Sequence, residues 1–136
     1  MICVDSGYLI ALAVPRDSLH TRALRWSRQV IEPLLLSEYV LWETINYLSP
    51  LVDRAKVYPL LDHIRNEPAY EYLRASSDLF EAGLAMHRAR RDKAWSLTDC
   101  ISFHAMRERG IMQALAYDEH FEQAGFEALL RCDPPV

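Results

Sequence analysis

A chain of 136 residues suits one domain with one real core, and its 51% hydrophobic content excludes a disordered, solvated polymer. No apolar run approaches the roughly 18 residues that span a membrane, and the first residues lack the basic-then-apolar order of a secretory leader. The formal net charge is −4, opposite in sign to most nucleic-acid binders, so any such binding must rest on local cations.

There is no repeat, no low-complexity tract and no Gly/Ser/Pro linker, so residues 1–136 read as one domain. Ile2 to Val4 is a short buried strand, and Ser6-Gly7 turns it into a helix from about Tyr8 to Val14. Pro15-Arg16-Asp17 breaks that helix, and a second runs from about Leu19 to Gln29. Leu34-Leu35-Leu36 is the next strand, and Ser37 caps a helix through Leu48 that Pro50 stops. A helix over Asp53 to Arg65 is interrupted or split by Pro59. Tyr70 to Arg74 is the third strand, and Ser77-Asp78 caps a helix to about Arg91. Ser96 caps the next, which ends at Gly110. Ala114 to Tyr117 is a fourth strand, Glu119 to Ala124 a short helix, and Leu129 to Arg131 a last strand. Strands alternating with helices predict an α/β fold: a three-layer α/β/α sandwich around a mainly parallel sheet.

Cys3, Cys100 and Cys132 are odd in number and widely spaced, without C-x-x-C pairs. They read as reduced, packed thiols, which predicts a cytoplasmic protein.

Four acids stand out because a parallel sheet gathers its strand ends and the following helix starts on one edge, where ligands bind. Asp5 ends the first strand, Glu43 lies inside an otherwise apolar helix, Asp99 follows Ser96 by three, and Asp118 follows the fourth strand. Each has a plainer role. Asp5 and Asp118 serve equally as N-caps, and Ser96-x-x-Asp99 is a capping-box pattern. Asp99 nevertheless shares a helix face with Phe103 and Met106, on a helix that is apolar on two sides. Glu43 lies off the polar stripe of its helix with no Lys or Arg within one turn, so it needs a partner: a cation, ordered water or an arginine from elsewhere. Gathered carboxylates repel, and a divalent cation relieves that repulsion.

Other chemistries lack their motifs. The five histidines have no H-E-x-x-H spacing, the four glycines make neither G-x-G-x-x-G nor a P-loop, and no G-x-S-x-G occurs. Two arginine groups, Arg22/Arg25/Arg28 and Arg88/Arg90/Arg91 with Lys93, read either as solvated helix faces or as phosphate contacts.

Val4-Asp5-Ser6-Gly7-Tyr8-Leu9-Ile10-Ala11, Leu36-Ser37-Glu38-Tyr39-Val40-Leu41-Trp42-Glu43, Trp95-Ser96-Leu97-Thr98-Asp99-Cys100 and Ala114-Leu115-Ala116-Tyr117-Asp118-Glu119-His120-Phe121, in this order, resemble the PIN-domain family. Within it they look like the VapC-type toxins of toxin–antitoxin pairs. Ala116 and Gly7 depart from the family, which often has threonine and a second polar residue there. The resemblance implies a sheet of about five strands and an endoribonuclease dependent on Mg²⁺ or Mn²⁺. It places the acidic positions on Asp5, Glu43, Asp99 and Asp118, with Asp5, Asp99 and Asp118 as metal ligands and Ser6 and Ser96 as auxiliary residues. RNA contacts are expected from Arg88, Arg90, Arg91 and Lys93. A homodimer and an antitoxin partner are expected too, with Tyr8, Trp26, Trp42 and Tyr47 as candidates for an aromatic groove. Two other readings stay open: a catalytically silent RNA- or protein-binding module, and a phosphohydrolase acting on DNA or small phosphates.

Overall fold

The computed structural model describes residues 1–136. Five strands, β1 (Ile2–Val4), β2 (Leu34–Ser37), β3 (Tyr70–Leu73), β4 (Gln113–Leu115) and β5 (Glu127–Ala128), form one sheet in the order β3-β2-β1-β4-β5. Every neighbouring pair is parallel, with Cys3 opposite Leu35 on one side and Ala114 on the other. The helices are α1 (Ser6–Ala13), α2 (His20–Gln29), α3 (Glu38–Tyr47), α4 (Val57–Asn66), α5 (Ser77–Ala89), α6 (Leu97–Arg109) and α7 (Glu119–Gln123). None is long and apolar enough to cross a membrane.

Strand alternation divides the core into the predicted layers. Ile2, Val4, Leu34 and Leu36 pack with Tyr8, Leu9, Val40, Leu60 and Ile64 from α1, α3 and α4. Cys3, Leu35 and Ala114 point the other way, onto Phe103 and Met106 of α6 and Phe121 of α7. The Phe103 ring meets Trp95 and Phe121 edge-on, each with centroids 5.0 Å away. Burying one such side chain stabilises the fold by about 1.5–3 kcal/mol, so the two layers hold β1 from both faces.

Several local expectations change. Residues 129–131 form a 3-10 turn, not a strand, and β5 lies just before them. Leu129 and Leu130 are both buried in the same core layer, which an alternating strand does not allow. Pro59 does not split α4. It lies in the first turn, where its missing N–H has no intrahelical acceptor to lose. A 3-10 turn at Arg54–Lys56 precedes it. Ser76, one residue earlier than expected, caps α5 by accepting from the Leu79 N–H. Ser37 and Ser96 cap α3 and α6 as predicted. Gly110, at φ 66°, ends α6 in the left-handed conformation that a helix C-terminus favours.

Gly83 is the buried point of α5. A Cβ there would lie 2.3 Å from Ile101 Cγ1 of α6, so only glycine allows this approach. All three cysteines are unpaired. Two polar ties close the outside of the fold. Arg16 grips Asp53 with both guanidinium nitrogens, at 2.9 and 2.7 Å, and Lys56 adds a third contact at 3.0 Å. On α2, Arg22 and Arg25 pair with Asp133, and Trp26 Nε1 donates to the Cys132 carbonyl at 2.8 Å.

Candidate active site

From β1 the chain runs outward through β2 to β3, whereas β4 and β5 lie on its other side. The strand order therefore reverses between β1 and β4, and a crevice opens there at the carboxyl ends of the strands. Asp5 is the first residue after β1, and its N–H bonds the Leu115 carbonyl at the end of β4. Asp5, Ser6, Glu43, Ser96, Asp99 and Asp118 all line this crevice, a hollow of about 740 Å³. The topology thus brings the four acids to one place.

The capping roles separate once geometry is known. Asp5 stands at the N-cap of α1 but makes no side-chain capping bond. Asp99 does both jobs. Ser96 Oγ accepts from its N–H at 3.0 Å, and its Oδ2 accepts from the Ser96 N–H at 3.1 Å, leaving Oδ1 outside the capping box. Asp118 caps α7 through the His120 N–H at 3.1 Å and stays half-exposed at the mouth of the hollow. Glu43 meets no arginine. Its partner is Ser6, whose hydroxyl donates to Oε1 at 2.6 Å.

Asp5 lies deepest, 8% exposed. Burial first, then the charge of Asp99, with those of Glu43 and Asp118 behind, pushes its carboxyl from an ordinary 3.8 up to about 7; the Ser6 backbone N–H opposes the shift. Beneath it, burial and the Asp5 charge push the Cys3 thiol up to about 12, and Cys3 does not line the crevice.

Oxygen donors with a single imidazole suit Mg²⁺ or Mn²⁺ better than a softer metal. No three His, Cys, Asp or Glu groups close into a cage that holds an ion by protein ligands alone. Mg²⁺ does not need one, since it keeps several waters and takes only one or two carboxylates. Asp5, Glu43, Asp99 and Asp118 face one hollow, with the His120 ring between two of them, so the donor set fits such an ion.

Two residues at the crevice escape sequence reasoning. His120 Nδ1 lies 3.0 Å from Asp99 Oδ2 and 3.4 Å from Asp118 Oδ1, linking two acids. The one available signal was its position in the first turn of the helix that Asp118 caps. Arg131 also lines the hollow. It comes from the segment read as a strand, and the Leu130 N–H to Ala116 carbonyl bond carries it there.

Arg88, Arg90, Arg91 and Lys93 do not line the hollow, although Ala94 beside them does. Arg90 is engaged twice, by Asp92 at 3.0 Å through two nitrogens and by the Trp95 ring at 4.9 Å. Of the four candidate aromatics, Tyr8 is buried, Trp26 holds the tail, and Trp42 and Tyr47 are 65% and 60% exposed. A second hollow, about 570 Å³, lies between α1, α2 and α4 with Tyr8, Leu12, Leu60 and Tyr70 in its wall. It is more apolar and holds none of the four acids, so the chemistry belongs to the crevice.

Comparison with known proteins agrees with this architecture. The 23S rRNA-specific endonuclease VapC20 of Mycobacterium tuberculosis, in strains CDC 1551/Oshkosh and H37Rv, is 31% identical over 127 residues, covering 93% of this chain and 95% of the relative. The crystal structure of Mycobacterium tuberculosis VapC20, described as a sarcin–ricin loop cleaving toxin, superposes with a TM-score of 0.84 at 27% identity, over 93% of this chain and 96% of that one. The PIN domain itself matches residues 2–127, and this chain belongs to the PIN-domain family as a homologue of VapC20.

Proposed function

We propose that this chain is a Mg²⁺- or Mn²⁺-dependent endoribonuclease that hydrolyses RNA phosphodiester bonds as the toxin of a toxin–antitoxin pair. The observation that carries the reading is the meeting of Asp5, Glu43, Asp99 and Asp118 in one crevice at the strand-order reversal. Homology to an rRNA endonuclease over nearly the whole chain supports it.

Asp5, Asp99 and Asp118 would hold the cation, directly or through water. When bound, the cation supplies Lewis acidity toward the phosphoryl oxygens and makes nearby water more acidic. Ser6 fixes Glu43 through Oε1, so Oε2 faces the task of orienting the attacking water and drawing its proton. Water oxygen bonds to phosphorus as its proton passes to Glu43, the bond to the leaving ribose oxygen breaks, and that oxygen takes a proton from solvent water. His120, held between Asp99 and Asp118, keeps both carboxylates in place. Arg88, Arg91 and Lys93, with Arg90, contribute phosphate contacts outside the crevice. Self-pairing through the exposed Trp42 and Tyr47 of α3 belongs to the same reading, and a monomer by light scattering at tens of micromolar would remove it.

The test compares RNA, single-stranded DNA and a small phosphate ester, each with Mn²⁺ and with EDTA. Because the relatives are named for 23S rRNA, that RNA and its sarcin–ricin loop come first. Cutting of RNA alone, abolished by EDTA, is expected. Binding without cutting gives the silent-module reading, and cutting of DNA or the ester gives the phosphohydrolase.

A further inference from the structure

Six carboxylates and a single arginine line the crevice. An RNA strand entering it meets a field of its own sign, so the one cation at the wall decides where a phosphate can rest. Arg131 is built for that position. Nε pairs with Glu122 Oε1 at 3.1 Å, Nη1 donates to the Tyr117 carbonyl at 2.9 Å, and the guanidinium lies 4.9 Å over the Tyr117 ring. The Tyr117 bond uses one of its five N–H donors, the ion pair and the ring contact help fix the plane, and both Nη2 donors have no protein acceptor. Tyr117 precedes Asp118, lines the same crevice and is 46% exposed.

We propose that Arg131 and Tyr117 together form a substrate anchor for single-stranded RNA. The guanidinium takes the phosphate next to the one that is cut, and the open part of the Tyr117 ring stacks a base. A guanidinium donates two parallel N–H bonds to a phosphate, and aromatic rings stack any base by its face. The pre-set plane means that little side-chain freedom is lost on binding. The anchor rests on the ribonuclease reading for its substrate class and adds a positioning pair outside the four acids.

The experiment measures binding of a short single-stranded oligoribonucleotide by fluorescence anisotropy across a salt series, in an Asp5→Asn background. Arg131→Gln should weaken binding about tenfold and cut the log–log salt slope by about 0.7, the value for one phosphate contact on a single strand. Arg131→Lys should keep the slope. Tyr117→Ala should weaken binding about tenfold with the slope unchanged, since stacking releases no counterion. In the active protein, Arg131→Gln should raise KM more than it lowers kcat. Glu122→Gln removes the ion pair but leaves the guanidinium, and should keep the parent slope. If Glu122→Gln reproduces the Arg131→Gln loss, Arg131 merely braces the C-terminal turn and the anchor is wrong. If Arg131→Gln binds with the parent's affinity and slope, the anchor is wrong while RNA cutting still stands on its own. RNA left whole by the parent with Mn²⁺ sinks the ribonuclease reading instead, and the binding series still decides the anchor.

Discussion

The hydroxyl of Ser6 reaches Glu43 Oε1 at 2.6 Å, joining the first residue of α1 to the middle of α3 across 37 positions of sequence. This bond satisfies one oxygen of a half-buried carboxylate and leaves the second without a hydrogen bond from the protein. Ser6→Ala should lower kcat roughly ten- to a hundredfold, the size of one hydrogen bond to a charged group. Glu43→Gln keeps an acceptor for Ser6 but cannot take a proton, and should lose about a hundredfold or more. Steady-state kinetics on one RNA checks both. A Glu43→Gln variant with parental kcat would remove Glu43 from the mechanism.

The Asp5 carboxyl is raised, so the folded chain holds its proton more tightly than the unfolded chain. The stability this contributes is complete below the ordinary 3.8 and is lost as pH rises through about 7. The metal-free protein should therefore show a Tm that falls across this window, and Asp5→Asn should flatten the fall while abolishing hydrolysis. Mn²⁺ competes with the proton, so it should raise Tm more at about pH 8 than at about pH 5. Differential scanning fluorimetry at several pH values, with Mn²⁺ and with EDTA, reads all three. An equal Mn²⁺ effect at both ends would show that the ion does not use Asp5.

Asp53 behaves in the opposite sense. Hydrogen bonds first from Arg16 and then from Lys56 hold its carboxyl down at about 2. Its contribution is present above the ordinary 3.8 and lost as pH falls through about 2. Asp53→Asn should lower Tm at neutral pH, and the gap to the parent should narrow on acidification below the ordinary carboxylate range. A gap that widens in acid would contradict the assignment.

Gly83→Ala places a methyl group against Ile101, on the helix that presents Asp99. Forcing α5 and α6 apart should cost about 1–3 kcal/mol. RNA cutting should fall as well, because α6 carries Ser96 and Asp99 at its start. Chemical denaturation gives the stability, and an unchanged midpoint would mean that α5 shifts freely.

Arg88, Arg90 and Arg91 lie away from the crevice wall, with Arg90 already paired to Asp92. Neutralising all three should weaken RNA affinity and flatten its salt dependence through Arg88 and Arg91, with kcat little affected. A triple variant that binds and cuts like the parent across a salt series would make this cluster a solvated surface only.

The parallel sheet and the Ser37 and Ser96 caps were legible because strand period, cap chemistry and glycine stops act over a few residues. So were the four acids, since the strand-to-helix order alone puts Asp5 and Asp118 on one edge. The sequence does not show what Glu43 touches, because Ser6 is 37 residues away and meets it only through packing of α1 on α3. Arg131 was invisible for a related reason. Leu129-Leu130-Arg131 is short and apolar enough to pass as a strand, and only the bond from Leu130 to Ala116 turns it toward the crevice. His120 carried no spacing motif, because its partner acids come from two different helices.

The sheet inserts β4 beside β1, so the strand made first waits for one made more than a hundred residues later. A chain emerging from the ribosome can form β1, β2 and β3 early, yet Asp5 has no Leu115 carbonyl to bond and no Asp99 or Asp118 to face until those later segments are made. Truncated or stalled products therefore carry half of the acidic crevice. Such a product cannot complete the crevice, so the order of the strands ties assembly of the four-acid site to the synthesis of β4 and of the helix start that follows it.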